Sequence, residues 1–420
     1  MIDRLNVSLD FGTGRAPRTL GQLGRDLRNR SFAFEWDPAF TSDPLPIWPI
    51  RLKSLAEILR SQPWRRRSVP GLFEDSLPDG WGKLLLEREI SASAGAGTML
   101  DDIERLAFVG RRGLGALCYT PGTTPQHKDD IDLEWFENVV SRVEDGASIE
   151  ELQTLRAISG GSQGARPKFV AQIDACHEIL RDHRNDWEPG WSHVLIKGRG
   201  ASDPPGSIEV ELAYGQLLKM AGVQTSPMFP IQGRDETFFA TERFDRKGSG
   251  RRHMATVAGL LDTNLQHGVF DYTQFMRLTK AMCRDKSHSA EELFRRMVFN
   301  VRANSRDDHI RNHAFLMDKS GHWHLSPAYD VTFDLGPAGA HSMAVANNSR
   351  NPAREEFGEV ARIGGIKPKR RDTIIDEVDS TLARWPDVAK EFDVPKTKRD
   401  EINSTIQSHI SSDFNKAQSR

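Results

Sequence analysis

Apolar and polar positions alternate over Leu5-Asn6-Val7-Ser8-Leu9 and again from Ser31 to Trp36, which predicts two half-buried strands near the start of the chain. Helical signals intervene. Leu55 to Leu59 follows Ser54 with Glu57 at capping-box spacing, and a second helix is expected from Gly80 to Arg88, after Pro78-Asp79. Turn formers from Thr120 to Pro125 mark a boundary. The stretch Asp101 to Glu150 holds eleven acidic and five basic residues and is expected to be a solvated helical connector. A helix from Ile149 to Ala157 then leads into a glycine-rich segment and two strands, Lys168 to Ile173 and His193 to Lys197. The pattern continues with a helix from Ile208 to Met220, Ser207 as its N-cap and Gly222 as its stop, and with paired strands Met228 to Ile231 and Thr237 to Ala240. Beyond Arg246 helical spacing dominates, at Tyr272 to Cys283, Ala290 to Arg302, Arg371 to Trp385 and Lys398 to Ile410. One hairpin interrupts it, Ala314 to Met317 with His322 to Leu325 about Asp318-Lys319-Ser320-Gly321.

These elements predict a mixed α/β (α+β) chain in three segments: 1–122, 123–247 and a mainly helical 248–420. The length of 420 residues agrees, since a domain takes about 150 residues. Lys and Arg number 57 against 59 Asp and Glu, a net charge of -2, which excludes a global cationic field for gripping nucleic acid or membrane. The three cysteines, Cys118, Cys176 and Cys283, form no C-x-x-C pair, so neither a disulfide framework nor a thiolate zinc site is expected. With no signal-peptide pattern and no run of about 18 apolar residues, the expectation is a cytoplasmic protein without a membrane partner.

The candidate chemistry lies on the loop between a helix and a strand that reads Asn304-Ser305-Arg306-Asp307-Asp308-His309-Ile310-Arg311-Asn312. Asp307 and Asn312 have the Asp-x4-Asn spacing of protein-kinase catalytic loops, in which the Asp accepts the proton of a substrate hydroxyl and the Asn binds magnesium. The hairpin that follows leads to Tyr329-Asp330, and Asp330 supplies a second hard oxygen ligand for magnesium. Upstream, Lys197 ends an apolar strand and Glu211 lies near the start of the next helix, an arrangement suited to an ion pair that holds the ammonium on nucleotide phosphates. Gly160, Gly161 and Gly164 allow close approach of backbone N–H groups to phosphate. In Thr241-Glu242-Arg243-Phe244-Asp245-Arg246, Glu242 and Phe244 are the candidates for a hinge facing adenine.

Taken in order, these motifs resemble the HipA family of bacterial serine/threonine kinases, toxins of toxin–antitoxin pairs. The residues that carry the resemblance are Asp307-x-His309-x-Arg311-Asn312, Ala328-Tyr329-Asp330, Ile196-Lys197, Glu242 to Arg246 and Ala165-Arg166-Pro167-Lys168. Leu72 to Gly82, Pro44 to Ile47 and Phe108 to Gly115 resemble the family's N-terminal subdomain. The resemblance implies a two-lobed protein-kinase-like fold with that additional subdomain. It implies ATP and Mg as cofactors, Asp307 as catalytic base, Asn312 and Asp330 on the metal, Lys197 and His309 at the phosphates, and Glu242 with Phe244 around the adenine. Arg311 stands where many members carry Lys. Family members often autophosphorylate a serine in the glycine-rich segment, for which Ser159 and Ser162 are the candidates here. A helix-turn-helix antitoxin of the HipB type is the implied partner, with DNA reached through it, and an aminoacyl-tRNA synthetase, such as glutamyl-tRNA synthetase, the implied protein substrate.

Other classes fit less well. Gly160-Gly161-Ser162-Gln163-Gly164 satisfies the G-x-S-x-G pattern of a hydrolase elbow, yet a helix precedes it and a strand follows, the reverse of what an elbow needs. His309, His313, His322 and His324 lack a further ligand cluster at zinc spacing. The basic tracts Trp64 to Arg67 and Lys367 to Arg371 read as solvated surface, so a corepressor role would need a DNA-binding partner.

Overall fold

A computed structural model describes residues 2–418 except 13, 15, 30, 53, 62–67, 95–99, 124–129, 144–145, 161–163, 201 and 264–269, with the backbone alone at 94 and 412–418. The chain divides into two compact units. The first comprises Met1–Ser202, Pro230–Thr263 and Leu316–Gly321; the second comprises Asp203–Phe229, Asn264–Phe315 and His322–Arg420.

The first unit contains two antiparallel sheets. In the first, the strand order is Leu59–Arg60, Ser31–Trp36, Arg18–Asp26, Arg4–Leu9, Leu117–Thr120. The alternation read near the N-terminus is real burial, with Leu5, Val7 and Leu9 inside and the residues between them facing out. Two expectations fail here. The helix expected from Leu55 is absent: the Ser54 hydroxyl accepts a bond from the Ala56 N–H, but Leu59 and Arg60 then pair with Phe34 and Ala33 as an edge strand. A run this short cannot offset the cost of helix nucleation, whereas the sheet edge supplies ready partners. The acidic stretch after Asp101 is no mere connector either. Leu117, Cys118 and Tyr119 are buried in the sheet, and the capped helix Asp102–Val109 buries Ile103, Leu106 and Ala107, so charge composition concealed a core.

The second sheet has the order Leu180–Asp182, Lys168–Asp174, Trp191–Lys197, Thr237–Glu242, Met228–Gln232. Lys168–Asp174 is buried over six consecutive residues, which is why it reads as a continuous run and not as an alternation. Phe136, from the helix Leu133–Val140, packs its ring 4.5 Å from that of Phe169.

The segment after this sheet is fastened to the N-terminal part of the unit. The buried Asp245 carboxylate accepts bonds from Arg243 (3.0 and 2.9 Å), Arg246 (2.6 Å) and the Gly115 N–H (2.7 Å), while Arg246 donates to the Gly113 and Gly115 carbonyls. Burial alone would raise the pKa of Asp245, but the two guanidiniums outweigh it and hold the carboxyl well below 3.8.

In the second unit, helices Tyr272–Met282, Lys286–Arg302, Pro368–Leu382, Trp385–Glu391 and Lys396–Gln418 follow the predicted pattern with one correction, and Arg354–Gly364 is a helix the sequence reading did not expect. The helix expected across 371–385 is two, because Pro386 has no N–H to continue the first and is tolerated only in the opening turn of the second. Ser207 is the first helical residue of Ser207–Met220, and the cap position belongs to Gly206. Arg302, fully buried, donates to the His409 carbonyl (2.7 Å) and lies 3.1 Å from Asp379, tying the last helix to the middle one. Among the described residues no helix is long and apolar enough to cross a membrane.

Replacing Asp245 with Ala leaves two arginines buried without their carboxylate and is expected to cost about 3–5 kcal/mol, read from the urea midpoint. Because the folded pKa lies below the unfolded one, the stabilisation is complete above pH 3.8 and is lost as pH falls towards the depressed value. An Asp245→Asn variant should therefore show a weaker dependence of stability on pH in the acid range.

Candidate active site

Helix Lys286–Arg302 ends where Asn304 turns into the left-handed region (φ +54°), a conformation Asn tolerates better than most residues. Its side-chain amide donates to the Asp334 carbonyl (2.9 Å), and its own carbonyl accepts the Asp334 N–H (3.0 Å). The chain thus leaves the helix pinned to the segment that follows Asp330. Asn312 closes the loop: its amide NH2 donates to the Asp307 carbonyl (2.9 Å), and its N–H to the His309 carbonyl (2.8 Å). With the NH2 so used, the side-chain oxygen is the group Asn312 can offer to a cation. The Tyr329 hydroxyl donates to the Arg311 carbonyl (2.7 Å), which fastens the residues before Asp330 to the same loop. Asp330 is itself left-handed (φ +57°) and exposed.

Adjacent carboxylates have opposite environments. The Asp307 side chain is 54% exposed and that of Asp308 0%. Asp308 accepts bonds from the Tyr272 hydroxyl (3.0 Å), His341 Nδ1 (3.2 Å) and the Met343 N–H (3.3 Å). Asn300 donates in turn to the Tyr272 hydroxyl (3.0 Å). Burial raises the pKa of Asp307; His309 opposes the rise from 3.6 Å, and the carboxylates of Asp334, Asp330 and Asp308 add to it. A carboxylate poised in this way is a better proton acceptor than a free one. His313, buried against the rings of Tyr272 and Phe275, is pushed well below 6.5 by burial and by Arg296, and is neutral at pH 7. Arg306 donates to the Gly339 carbonyl (2.6 Å), bracing the segment beyond Asp330.

Among the described residues no three His, Cys, Asp or Glu side chains gather as a metal cage. The Asn312 and Asp330 side chains carry the hard oxygen donors that a magnesium ion with one or two protein ligands would take, its shell completed by water and phosphate. The mutual repulsion that raises Asp307 is what such a cation would relieve.

The first unit carries the other predicted residues except Glu211. Lys197 is buried, its ammonium 5.2 Å from the centre of the Phe239 ring, and it lies directly across the ladder from Lys168, also buried. Side chains paired in this way share a face of the sheet. Lys168 was not among the residues picked from sequence; its signal was the Ala165-Arg166-Pro167-Lys168 motif and its position at the start of a buried strand. Gly160 caps the helix Ile149–Ser159 in the left-handed region (φ +60°), where a Cβ would lie 2.4 Å from Val170, so a fold requirement accounts for it. Gly164 (φ +99°) has a backbone conformation that disfavours any side chain, and a Cβ there would meet the flexible Lys168 ammonium at 2.5 Å. Gly161 and Ser162 lie outside the described residues. The Ser159 hydroxyl is buried and bonded to the Leu155 (2.7 Å) and Lys168 (3.1 Å) carbonyls, so in this conformation it is not presented for modification. Glu242 accepts a bond from the Ser192 hydroxyl (3.1 Å) and is half-buried, as is Phe244. Glu211 is buried on helix Ser207–Met220 and belongs to the second unit.

Residues 160–385 match the family model of the HipA-like C-terminal domain, and residues 16–120 that of the HipA N-terminal domain. The chain belongs to the HipA family. The solved HipA of Shewanella oneidensis MR-1, in complex with HipB and its operator DNA, shares the fold at a TM-score of 0.66 and 16% identity, over 98% of this chain and 97% of that one. The proinflammatory kinase CtkA of Helicobacter pylori matches at a TM-score of 0.38 and 10% identity, over 55% of this chain and 90% of its own. No curated protein matches the sequence. The mixed α/β HipA fold is thus the one expected from the order of motifs.

Asp308, like Lys168, was not picked from sequence. Replacing it with Ala strips a shared acceptor from the buried Tyr272 hydroxyl and Met343 N–H and is expected to cost roughly 1–3 kcal/mol. The measurement is a lowered urea midpoint with an unchanged m-value; Asp308→Asn, which keeps an acceptor, should lose less.

Proposed function

We propose that the protein is an ATP- and Mg-dependent kinase that transfers the γ-phosphoryl group to a serine or threonine hydroxyl of a protein. The observation that carries this reading is the braced loop of the second unit, in which Asp307 has a raised pKa and Asn312 and Asp330 offer oxygens to a cation. On this reading the first unit binds, with Lys197, Lys168 and the glycine-rich segment holding phosphates and Glu242 with Phe244 facing the adenine. The second unit supplies the proton acceptor and cation ligands, with His309 beside the phosphates. The attacking hydroxyl gives its proton to the Asp307 carboxylate as its oxygen bonds to the γ-phosphorus, and the bond from that phosphorus to the β,γ-bridging oxygen breaks to release ADP. Magnesium, when bound, neutralises charge on the phosphates.

The family resemblance supports a translation component such as an aminoacyl-tRNA synthetase as substrate, growth arrest as the consequence, and action in the cytoplasm, where the three free cysteines stay reduced. A second role is favoured by the extent of the match to a HipA solved with HipB and operator DNA, which covers nearly all of both chains. We infer a helix-turn-helix antitoxin as partner, with DNA contacted through it.

Incubating the protein with labelled ATP, magnesium and a bacterial lysate should label at least one protein, and Asp307→Ala should abolish the label; no Asp307-dependent label would overturn the kinase reading. Co-repression with an antitoxin should survive the same substitution. Since Asp307 must be ionised to accept the proton and its pKa is raised, the acid limb of kcat should lie above 3.8. A limb at or below that value, with circular dichroism showing the fold intact, would remove Asp307 from the base role.

A further inference from the structure

We propose that Asp79, from the N-terminal subdomain, is the positioning residue that fixes Gly164 beside the Lys168 ammonium for nucleotide binding. This rests on the kinase reading above. Asp79 Oδ1 accepts the Gly164 N–H at 2.6 Å, and the Gly164 carbonyl accepts the Trp81 N–H at 2.8 Å, so both polar groups of Gly164 are held by a motif some eighty residues upstream. The approach is so close that the residue between them must be glycine. Gly80 is left-handed (φ +44°), and a Cβ on it would lie 2.3 Å from the Gly164 oxygen. Trp81 is buried, which fixes the other arm of the clamp.

The helix that precedes the segment is held to the same subdomain. Arg156 of Ile149–Ser159 and Glu89 of Gly80–Ala94 form a largely buried ion pair, with Arg156 Nη2 3.2 Å from Glu89 Oε1. One subdomain therefore anchors the chain before the glycine-rich segment and at its far end. What the far anchor sets is the place of Gly164 against the Lys168 ammonium. A carboxylate accepting a backbone N–H makes a charge-assisted bond, about twice as strong as a neutral one. The Gly164 N–H, being committed to Asp79, is not a phosphate donor. The role of Gly164 is to let the Lys168 ammonium lie close against its backbone, and Asp79 keeps Gly164 there.

Three variants test this, each read by titration with a fluorescent ATP analogue in the presence of magnesium and by steady-state kinetics on the full chain. Asp79→Ala should raise the Kd and the KM for ATP roughly tenfold while changing kcat less than threefold. Asp79→Asn, which keeps an oxygen for the Gly164 N–H, should recover most of the affinity, a rescue that general destabilisation would not give. Glu89→Gln, which weakens the other anchor, controls for loosening of the subdomain and should raise the Kd less than Asp79→Ala. A Kd in Asp79→Ala equal to that of the wild type overturns the proposal, as does a loss of affinity that Asp79→Asn fails to recover. If the wild type binds the analogue but Asp307→Ala turns over as fast as the wild type, the kinase reading falls while the anchoring of the segment stands. If the wild type does not bind the analogue, both fall.

Discussion

A carboxylate with no access to water holds the 304–312 loop in place, and much else follows from how Asp308 is satisfied. Removing a charge from water is costly unless hydrogen bonds replace the lost solvation. Asp308 meets that requirement with a hydroxyl from one helix, a backbone N–H from the 341–343 segment and the ring of His341. The partners come from two separate parts of the second unit, a helix and the 341–343 segment, so the loop cannot shift without breaking bonds to both. Asp307 is the next residue, and once its neighbour is immobilised it keeps only the freedom of its own side chain. The Asn312 amide on the Asp307 carbonyl removes what backbone freedom is left. Arg306 extends the constraint, since it links the residue before Asp307 to the segment beyond Asp330.

The first unit uses the same device at its joints. Asp75 accepts the Thr256 N–H (2.6 Å) and hydroxyl (2.7 Å), and that hydroxyl caps the next short helix at the Gly259 N–H. Asp262 accepts the Gly71 N–H (2.8 Å), and Asp245 the Gly115 N–H. In each case a side-chain carboxylate takes up a backbone donor that neither sheet could satisfy, at a place where the chain turns. Glycine recurs at these joints for the same reason: a Cβ on Gly259 would lie 2.3 Å from the Asp75 carboxylate. These bonds, more than the sheets they connect, make the N-terminal subdomain part of the unit that carries Lys168 and Lys197.

Local periodicity made most of the elements legible, because alternation in Arg4–Leu9 and helical spacing in Lys286–Arg302 are direct consequences of burying one face. Lys197, Asp307, Asn312 and Asp330 were singled out for a different reason, the order of the motifs that contain them, which no single spacing would have carried. What stayed hidden was whatever depends on a partner distant in sequence. Leu59–Arg60 became a strand only because the edge of Ser31–Trp36 was open, and the Asp101 to Glu150 stretch was core only because the strand Arg4–Leu9 had an unfilled side. Asp308 looked like a second copy of its neighbour, and nothing local could say that one carboxylate faces water while the other faces Tyr272. Asp79 looked like a helix start, and its acceptor role needs Gly164, which follows much later in the chain.

Lys168 and Lys197 lie opposite each other on adjacent strands, both buried, and like charges so placed repel while each bears a desolvation cost. Two methionines would fill the same space at lower cost. The carboxylates around Asp307 are the mirror case, since their mutual repulsion, together with burial, raises the Asp307 pKa. A fold under selection for stability alone would remove both. On the proposed reading, the two lysines suit a phosphate and the carboxylates around Asp307 a divalent cation, each ligand offsetting like charge within its own unit. The repulsion around Asp307 is therefore part of the driving force for binding on that reading, and the buried anchor at Asp308 keeps the loop from relaxing it by moving the charges apart.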